Sequence, residues 1–199
     1  YAAGESVPQN YEQAANWLRL GAGQDNPKAQ LLLAGFYQEG LGVSQDYYSA
    51  VKWYKLAAGK GLAVAQFKLG EMYYFGKGVF QDYRTAEDWY KLSAHQDNSN
   101  AQYKLGLMYE MGKGTAKDYE TAIYWYKASA KQENPLALFS LGLMHDKGQG
   151  VKQDFNQAIK WYKLAASLNN SNAQYNLGLL FERGLGTNRD LERAYMWWD

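Results

Sequence analysis

Apolar residues recur along this chain at helical spacing, and the blocks that carry them are punctuated by glycine and by short polar residues at regular intervals. Ala101, Leu105 and Tyr109 stand at i, i+4 and i+8 with Met108 beside them, a pattern that predicts a helix with one buried stripe. Gly112 ends that helix, because glycine reaches a left-handed terminus without steric cost, and Gly114 lets the chain fold back. Asp118 opens a second helix, since a short carboxylate accepts hydrogen bonds from the first unpaired N–H groups. Ala122, Trp125, Tyr126 and Ala130 form its stripe, and Asn134-Pro135 marks the next turn. The unit is a helical hairpin.

The hairpin repeats every 36 residues, with tryptophan in phase at Trp53, Trp89, Trp125, Trp161 and Trp197 and with Trp17 ahead of them. Ala29, Ala65, Ala101, Ala137 and Ala173 hold a second phase, and Asp46, Asp82, Asp118, Asp154 and Asp190 a third. Self-similarity at such a period predicts an all-α solenoid in which each unit touches its neighbours. Residues 1–199 read as a single solenoid: 1–28 a partial repeat, 29–64, 65–100, 101–136 and 137–172 full repeats, and 173–199 a truncated one. Tyr1 and Gly4 share the phase of Tyr37 and Gly40, which predicts entry within a first helix, and Asp199 falls inside a second. A longer parent chain with its own caps is the expectation. Gly70, Gly106, Gly142 and Gly178 sit inside the first helices, where glycine costs about 1 kcal/mol against alanine. They predict close approach of a neighbouring backbone or a large ring, with Ala34 showing that one methyl is tolerated at this phase. The Trp-Tyr pairs of the second helices read as the packing spine between repeats.

Charge changes the picture by exclusion. The 21 basic and 20 acidic residues are well mixed, so no basic stripe is available to follow a phosphate backbone, and nucleic acid is not an expected partner. No apolar run approaches the length of a membrane span. The absence of cysteine removes disulfides and thiolate chemistry. His95 falls at the end of a second helix and reads as an exposed polar residue. His145, beside Asp146, occupies a phase that is aromatic at Tyr37, Tyr73, Tyr109 and Phe181, so it reads first as a ring filling a ring-shaped slot. Gly112-Lys113-Gly114-Thr115 echoes a phosphate loop but lacks the earlier glycine and leaves a helix instead of entering one. No catalytic residue, metal ligand or cofactor site is expected.

The unit Ala65-Gln66-Phe67-Lys68-Leu69-Gly70-Glu71-Met72-Tyr73, continuing through Gly76, Gly78, Val79, Asp82, Ala86, Trp89-Tyr90-Lys91 and Ser93-Ala94, resembles the Sel1-like repeat, a longer relative of the tetratricopeptide repeat. The resemblance covers essentially the whole chain. Thr115 and Thr187 depart from its valine, His145 and Phe181 from its tyrosine, and Asn10 from its aspartate, none of which breaks the helical pattern. What the resemblance implies is a right-handed superhelix with first helices lining a concave side. It also implies an adaptor that holds other proteins together, in bacterial envelope, secretion, signalling or host-contact systems or in eukaryotic membrane-protein quality control, and no catalysis.

Subtracting the recurring positions leaves a variable face on the first helices, and by analogy with related solenoids this face lines the groove. Its candidate partner-binding residues are Lys68, Glu71 and Phe75; Lys104, Leu107 and Met111; Leu143 and Lys147; and Arg183. An apolar centre with a charged rim suits a helix or extended peptide, Phe75 and Met111 being the anchors and Leu107 and Leu143 divided between binding and inter-repeat packing. The alternative is a small-molecule or envelope-glycan module, with weak hydrolysis near His145 and Asp146. Self-association through uncapped apolar ends is a further expectation.

Overall fold

A computed structural model describes residues 10–198, and the readings placed on Tyr1, Gly4 and Asp199 lie outside them. Eleven helices and no strand occur among the described residues. The chain divides into two compact units, residues 1–98 and 99–199. The first holds α1 (Tyr11–Gly23), α2 (Pro27–Glu39), α3 (Tyr47–Gly59), α4 (Ala63–Phe75) and α5 (Tyr83–Ala94). The second holds α6 (Ser99–Met111), α7 (Tyr119–Ala130), α8 (Pro135–Lys147), α9 (Phe155–Ser167), α10 (Ser171–Arg183) and α11 (Leu191–Trp198). Within each unit successive helices pack as antiparallel hairpins.

The terminal chemistry of each helix follows the sequence closely. Asp46, Asp82, Asp118 and Asp154 cap α3, α5, α7 and α9, each accepting from backbone N–H groups of the first turn. Hydroxyls from Ser49, Thr85 and Thr121 also bond the first three of these carboxylates and hold them below the usual carboxylate range. Gly40, Gly76, Gly148 and Gly184 end α2, α4, α8 and α10 at φ of 72°, 67°, 67° and 67°. Pro135 takes the first turn of α8 behind its cap Asn134, so that the Asn-Pro pair starts a helix as well as closing a turn. The turns that leave the second helices also need positive φ, and only Gly61 meets this with glycine. Asp25, Asp97, Glu133 and Asn169 adopt it at the same phase, at φ of 62°, 59°, 57° and 61°.

The loop inside each hairpin is clamped from two sides. The Asp82 N–H donates to the Tyr73 carbonyl at 3.0 Å and Gln81 Nε2 to the Tyr74 carbonyl at 2.9 Å; Asp154 to His145 and Gln153 to Asp146 repeat the pair at 2.9 and 2.7 Å. The second loop glycine lies against the first turn of the preceding hairpin's second helix. A Cβ on Gly78 would run into the Tyr47 carbonyl and lie 2.8 Å from the Tyr48 nitrogen, and one on Gly150 would lie 2.5 Å from Tyr119 Cβ.

The structure revises the reading of the Trp-Tyr pairs. Tyr54, Tyr90, Tyr126 and Tyr162 are the wholly buried members, whereas Trp53, Trp89 and Trp161 are half-buried and Trp17 is exposed; Trp125 alone of these tryptophans is buried. Tyrosine wins because its ring fits where the facing helix has no side chain: a Cβ on Gly70 would stand 2.7 Å from the Tyr90 ring, and one on Gly106 2.5 Å from the Tyr126 ring. The hydroxyl then passes beyond the glycine to an acceptor one turn further on. Tyr54 donates to Gln38 Oε1 at 3.0 Å, Tyr126 to Glu110 and Tyr162 to Asp146 at 3.1 Å. Burial, reinforced by the nearby carboxylates, pushes these phenols well above their ordinary range. In the α4–α5 hairpin the acceptor position holds Tyr74, and the buried Tyr90 hydroxyl has no hydrogen-bond partner.

Gly78→Ala combines a backbone collision with left-handed strain and should cost about 2–3 kcal/mol. Gly61→Asn, at a phase where Asp and Asn already adopt positive φ and open space surrounds the residue, should change stability by less than about 0.5 kcal/mol. Urea midpoints of the two variants separate these effects. The same measurement should find Tyr162→Phe destabilised by about 1 kcal/mol through its stranded partners, and Tyr90→Phe unchanged or slightly stabilised, because it discards an unsatisfied buried hydroxyl.

Candidate functional site

In the first unit the candidate residues lie on one face of α4. Lys68 Nζ pairs with Glu71 at 2.9 Å and sits 5.5 Å from the Phe67 ring centroid, so this part of the rim is internally neutralised. Phe75, on the last turn, is 50% exposed; its ring meets Tyr74 edge-on at 4.9 Å, and Lys77 Nζ stands 6.0 Å from its centroid. The exposed ring is an apolar platform flanked by a cation.

In the second unit Lys104, Leu107 and Met111 share a face of α6, Leu143 and Lys147 a face of α8, and Arg183 closes α10. Met111 is 56% exposed, and Lys147 and Arg183 are exposed. Leu107 is half-buried against the core around Ala122 and Met144, and Leu143 against that around Leu177 and Leu180. Both contribute to packing between helices and present only part of their surface. The residues at the phase of Lys68 and Lys104 on α8 and α10 turn inward: Ser140 is buried, and Asn176 Nδ2 donates to the Tyr162 hydroxyl at 3.2 Å.

His145 and Asp146 do not converge. Adjacent residues on a helix point about 100° apart, and here Asp146 accepts from Tyr162 while His145 lines a separate cleft with Val151, Lys152, Asp154, Phe155 and Asn156. An acid–base pair therefore does not form between them. Three of the aromatic residues at this phase lie under a cation from the preceding second helix: Arg19 at 5.9 Å from Tyr37, Lys55 at 5.5 Å from Tyr73 and Lys163 at 5.9 Å from Phe181. The equivalent cation for His145 is Lys127. Burial lowers the imidazole's pKa; Asp154 opposes that shift and Lys127 adds to it. Its Nδ1 is buried without a partner.

A second cleft escaped the sequence reading. It lies in the first unit at Tyr48, Tyr73 and Phe80, and the available signal was Phe80 itself, at a phase that otherwise carries Ser44, Ala116, Lys152 and Asn188.

Repeated helix pairs with glycine-clamped loops, tyrosine-on-glycine packing and exposed side chains at variable positions define a repeat protein of the α-solenoid class. The chain belongs to the Sel1 repeat family: the Sel1 repeat model matches residues 1–26, 27–62, 63–98, 99–134, 135–170 and 171–199. It is similar to the solved structure of c5321, a protective antigen of uropathogenic Escherichia coli with an SLR fold, at 37% identity and a TM-score of 0.93 over 99% of this chain. The matched region is 42% of that protein's length. A Sel1 repeat protein from Oxalobacter formigenes is similar at 36% identity and a TM-score of 0.88, over 94% of this chain and 76% of its own. The immunity protein Pa5087 from Pseudomonas aeruginosa shares the fold, at 18% identity and a TM-score of 0.61 over 98% and 76% of the two chains. A search of curated protein sequences gives no match. Sel1 repeat proteins generally mediate protein–protein interaction and are typically non-catalytic. No helix among the described residues is long and apolar enough to cross a membrane.

The depressed pKa of His145 gives stability a pH dependence of defined sign. Above the unfolded value of about 6.5 the group is neutral in both states; below it the unfolded chain takes up the proton first, so stability falls as pH drops toward the folded pKa. Urea midpoints measured from pH 8 to pH 5.5 should decline for the parent protein. His145→Tyr, which restores the repeat's usual ring beside Lys127, should flatten that decline.

Proposed function

We propose that this chain is a non-catalytic scaffold that captures a protein or peptide on the variable face of its first helices. In the first unit Phe75 anchors the partner, with Lys68 and Glu71 at its border. In the second, Met111 is the anchor, Leu107 and Leu143 extend the apolar floor, and Lys104, Lys147 and Arg183 supply charge. The observation that carries this reading is the exposure of Phe75 and Met111 on the last turn of their helices, at a phase that is Glu39, Lys147 and Arg183 in the other hairpins. A fold that needed an apolar residue there for packing would not accept those charges. An exposed aromatic and a flexible thioether are instead typical contact residues at protein interfaces. The family's general role in protein–protein interaction supports the same reading.

The double variant Phe75→Asp/Met111→Asp should lose partner capture by at least about ten-fold, the range expected when interface anchors are removed, while its far-UV circular dichroism and urea midpoint stay at parent values. Undiminished capture with the fold intact would overturn the reading.

A further inference from the structure

The cleft of about 840 Å³ in the first unit is lined by Tyr48, Tyr73, Val79, Phe80 and Asp82. It is built from rigid parts. Gly78 presses on the first turn of α3, Val79 packs into the core, and Gln81 and Asp82 are both tied to carbonyls of α4. Phe80 stands between these fixed residues with its backbone held and its side chain 97% exposed, next to a Tyr48 that is 75% exposed. The ring stands clear of the protein's own surface. The ring does nothing for the fold, as the serine, alanine, lysine and asparagine at its phase elsewhere make plain. A large exposed apolar group on a rigid support marks an interaction site.

The charge around the cleft identifies what fits. Tyr48, Lys52 and Lys55 fall at i, i+4 and i+7 of α3 and so share one face. Lys55 Nζ lies 5.5 Å from the Tyr73 centroid, and neither lysine has a carboxylate partner among the described residues. Asp82 is spent as a helix cap, its two oxygens taken by the Arg84 and Thr85 N–H groups and the Thr85 hydroxyl. Two lysines against this one carboxylate leave the balance of charge around the cleft positive. A cationic ligand, which three aromatic rings would otherwise suit, meets Lys55 already over one of them.

We propose that this cleft is a second docking site, separate from the Phe75 face, for an acidic segment of a partner protein that carries one apolar anchor residue. The anchor packs against Phe80, Tyr48 and Tyr73, and flanking carboxylates pair with Lys52 and Lys55. The equivalent site of the second unit, two repeats on, has His145, Lys152 and Glu120 where this one has Tyr73, Phe80 and Tyr48. It offers no such aromatic surface and serves as an internal control.

The test is a nitrogen-15 NMR titration of the full chain with acetylated, amidated pentapeptides: Glu-Glu-Leu-Glu-Glu, its anchorless form Glu-Glu-Ser-Glu-Glu, and the charge-reversed Lys-Lys-Leu-Lys-Lys. The leucine-bearing acidic peptide should give saturable shifts centred on Tyr48 and Phe80 that weaken with added salt. Phe80→Ser and the double variant Lys52→Glu/Lys55→Glu should each weaken its binding by about ten-fold, the expected loss of an anchor or of paired charge. Phe75→Asp should leave it unchanged, so failure here is distinct from failure of the Phe75 and Met111 site. Equal binding of the basic peptide, stronger shifts with tetramethylammonium, no saturable shift, or indifference to Phe80→Ser would each overturn the proposal.

Discussion

A tyrosine ring laid across a helix that has no side chain at the point of contact is the constraint on which the hairpins of Gly70, Gly106 and Gly142 depend. Gly106 and Gly142 give up about 1 kcal/mol of helix propensity apiece, and in return Tyr126 and Tyr162 lie close enough to fill the space between two backbones. The ring's length then decides a second feature. It carries the hydroxyl past the glycine to Glu110 or Asp146 on the far side of the first helix, so the polar atom is satisfied where the apolar body is buried. In the last hairpin Trp198 takes the place of the tyrosine over Gly178, and its Nε1 donates to the Tyr175 carbonyl instead of reaching a side chain beyond the glycine. Ala34 shows the accommodation needed when the methyl is present: Tyr54 remains buried and reaches Gln38.

This pairing explains why the periodic signal was legible and why part of its meaning was not. Helix ends were readable because caps act locally: an aspartate before a stripe and a glycine after it operate through the next few residues alone. Periodicity alone could not rank Trp125 against Tyr126, since both recur with the same period and which ring lies beneath the neighbouring helix is a matter of tertiary packing. Positive φ at Asp25, Asp97, Glu133 and Asn169 was hidden for a related reason. These side chains tolerate the left-handed region without advertising it, whereas Gly61 at the same phase announces it. His145 and Asp146 are neighbours in sequence that helical geometry sends to different surfaces.

The candidate binding face was legible only by subtraction. Once the positions required by caps, glycine contacts and rings are removed, what varies is either free surface or packing, and sequence does not distinguish them. The structure does: Phe75 and Met111 stand out from the surface, Leu107 and Leu143 are shared with the core, and Ser140 turns inward. Subtraction missed Phe80 because it was applied to helices, and Phe80 sits in a loop whose neighbours are nearly invariant in role.

That placement gives the loop a functional logic. A flexible loop could fold a phenylalanine back onto apolar surface and so hide it, at little conformational cost. Here Gly78 and Asp82 hold the backbone on either side, and the same contacts that join one hairpin to the next place the backbone that carries residue 80. Stability and presentation are thus produced by one set of interactions, and the side chain at this position can change from serine to phenylalanine to lysine without disturbing the framework. A repeat protein built in this way can acquire contact surface on its loops as readily as on its helices, because rigidity is supplied by the residues that recur and specificity by those that do not.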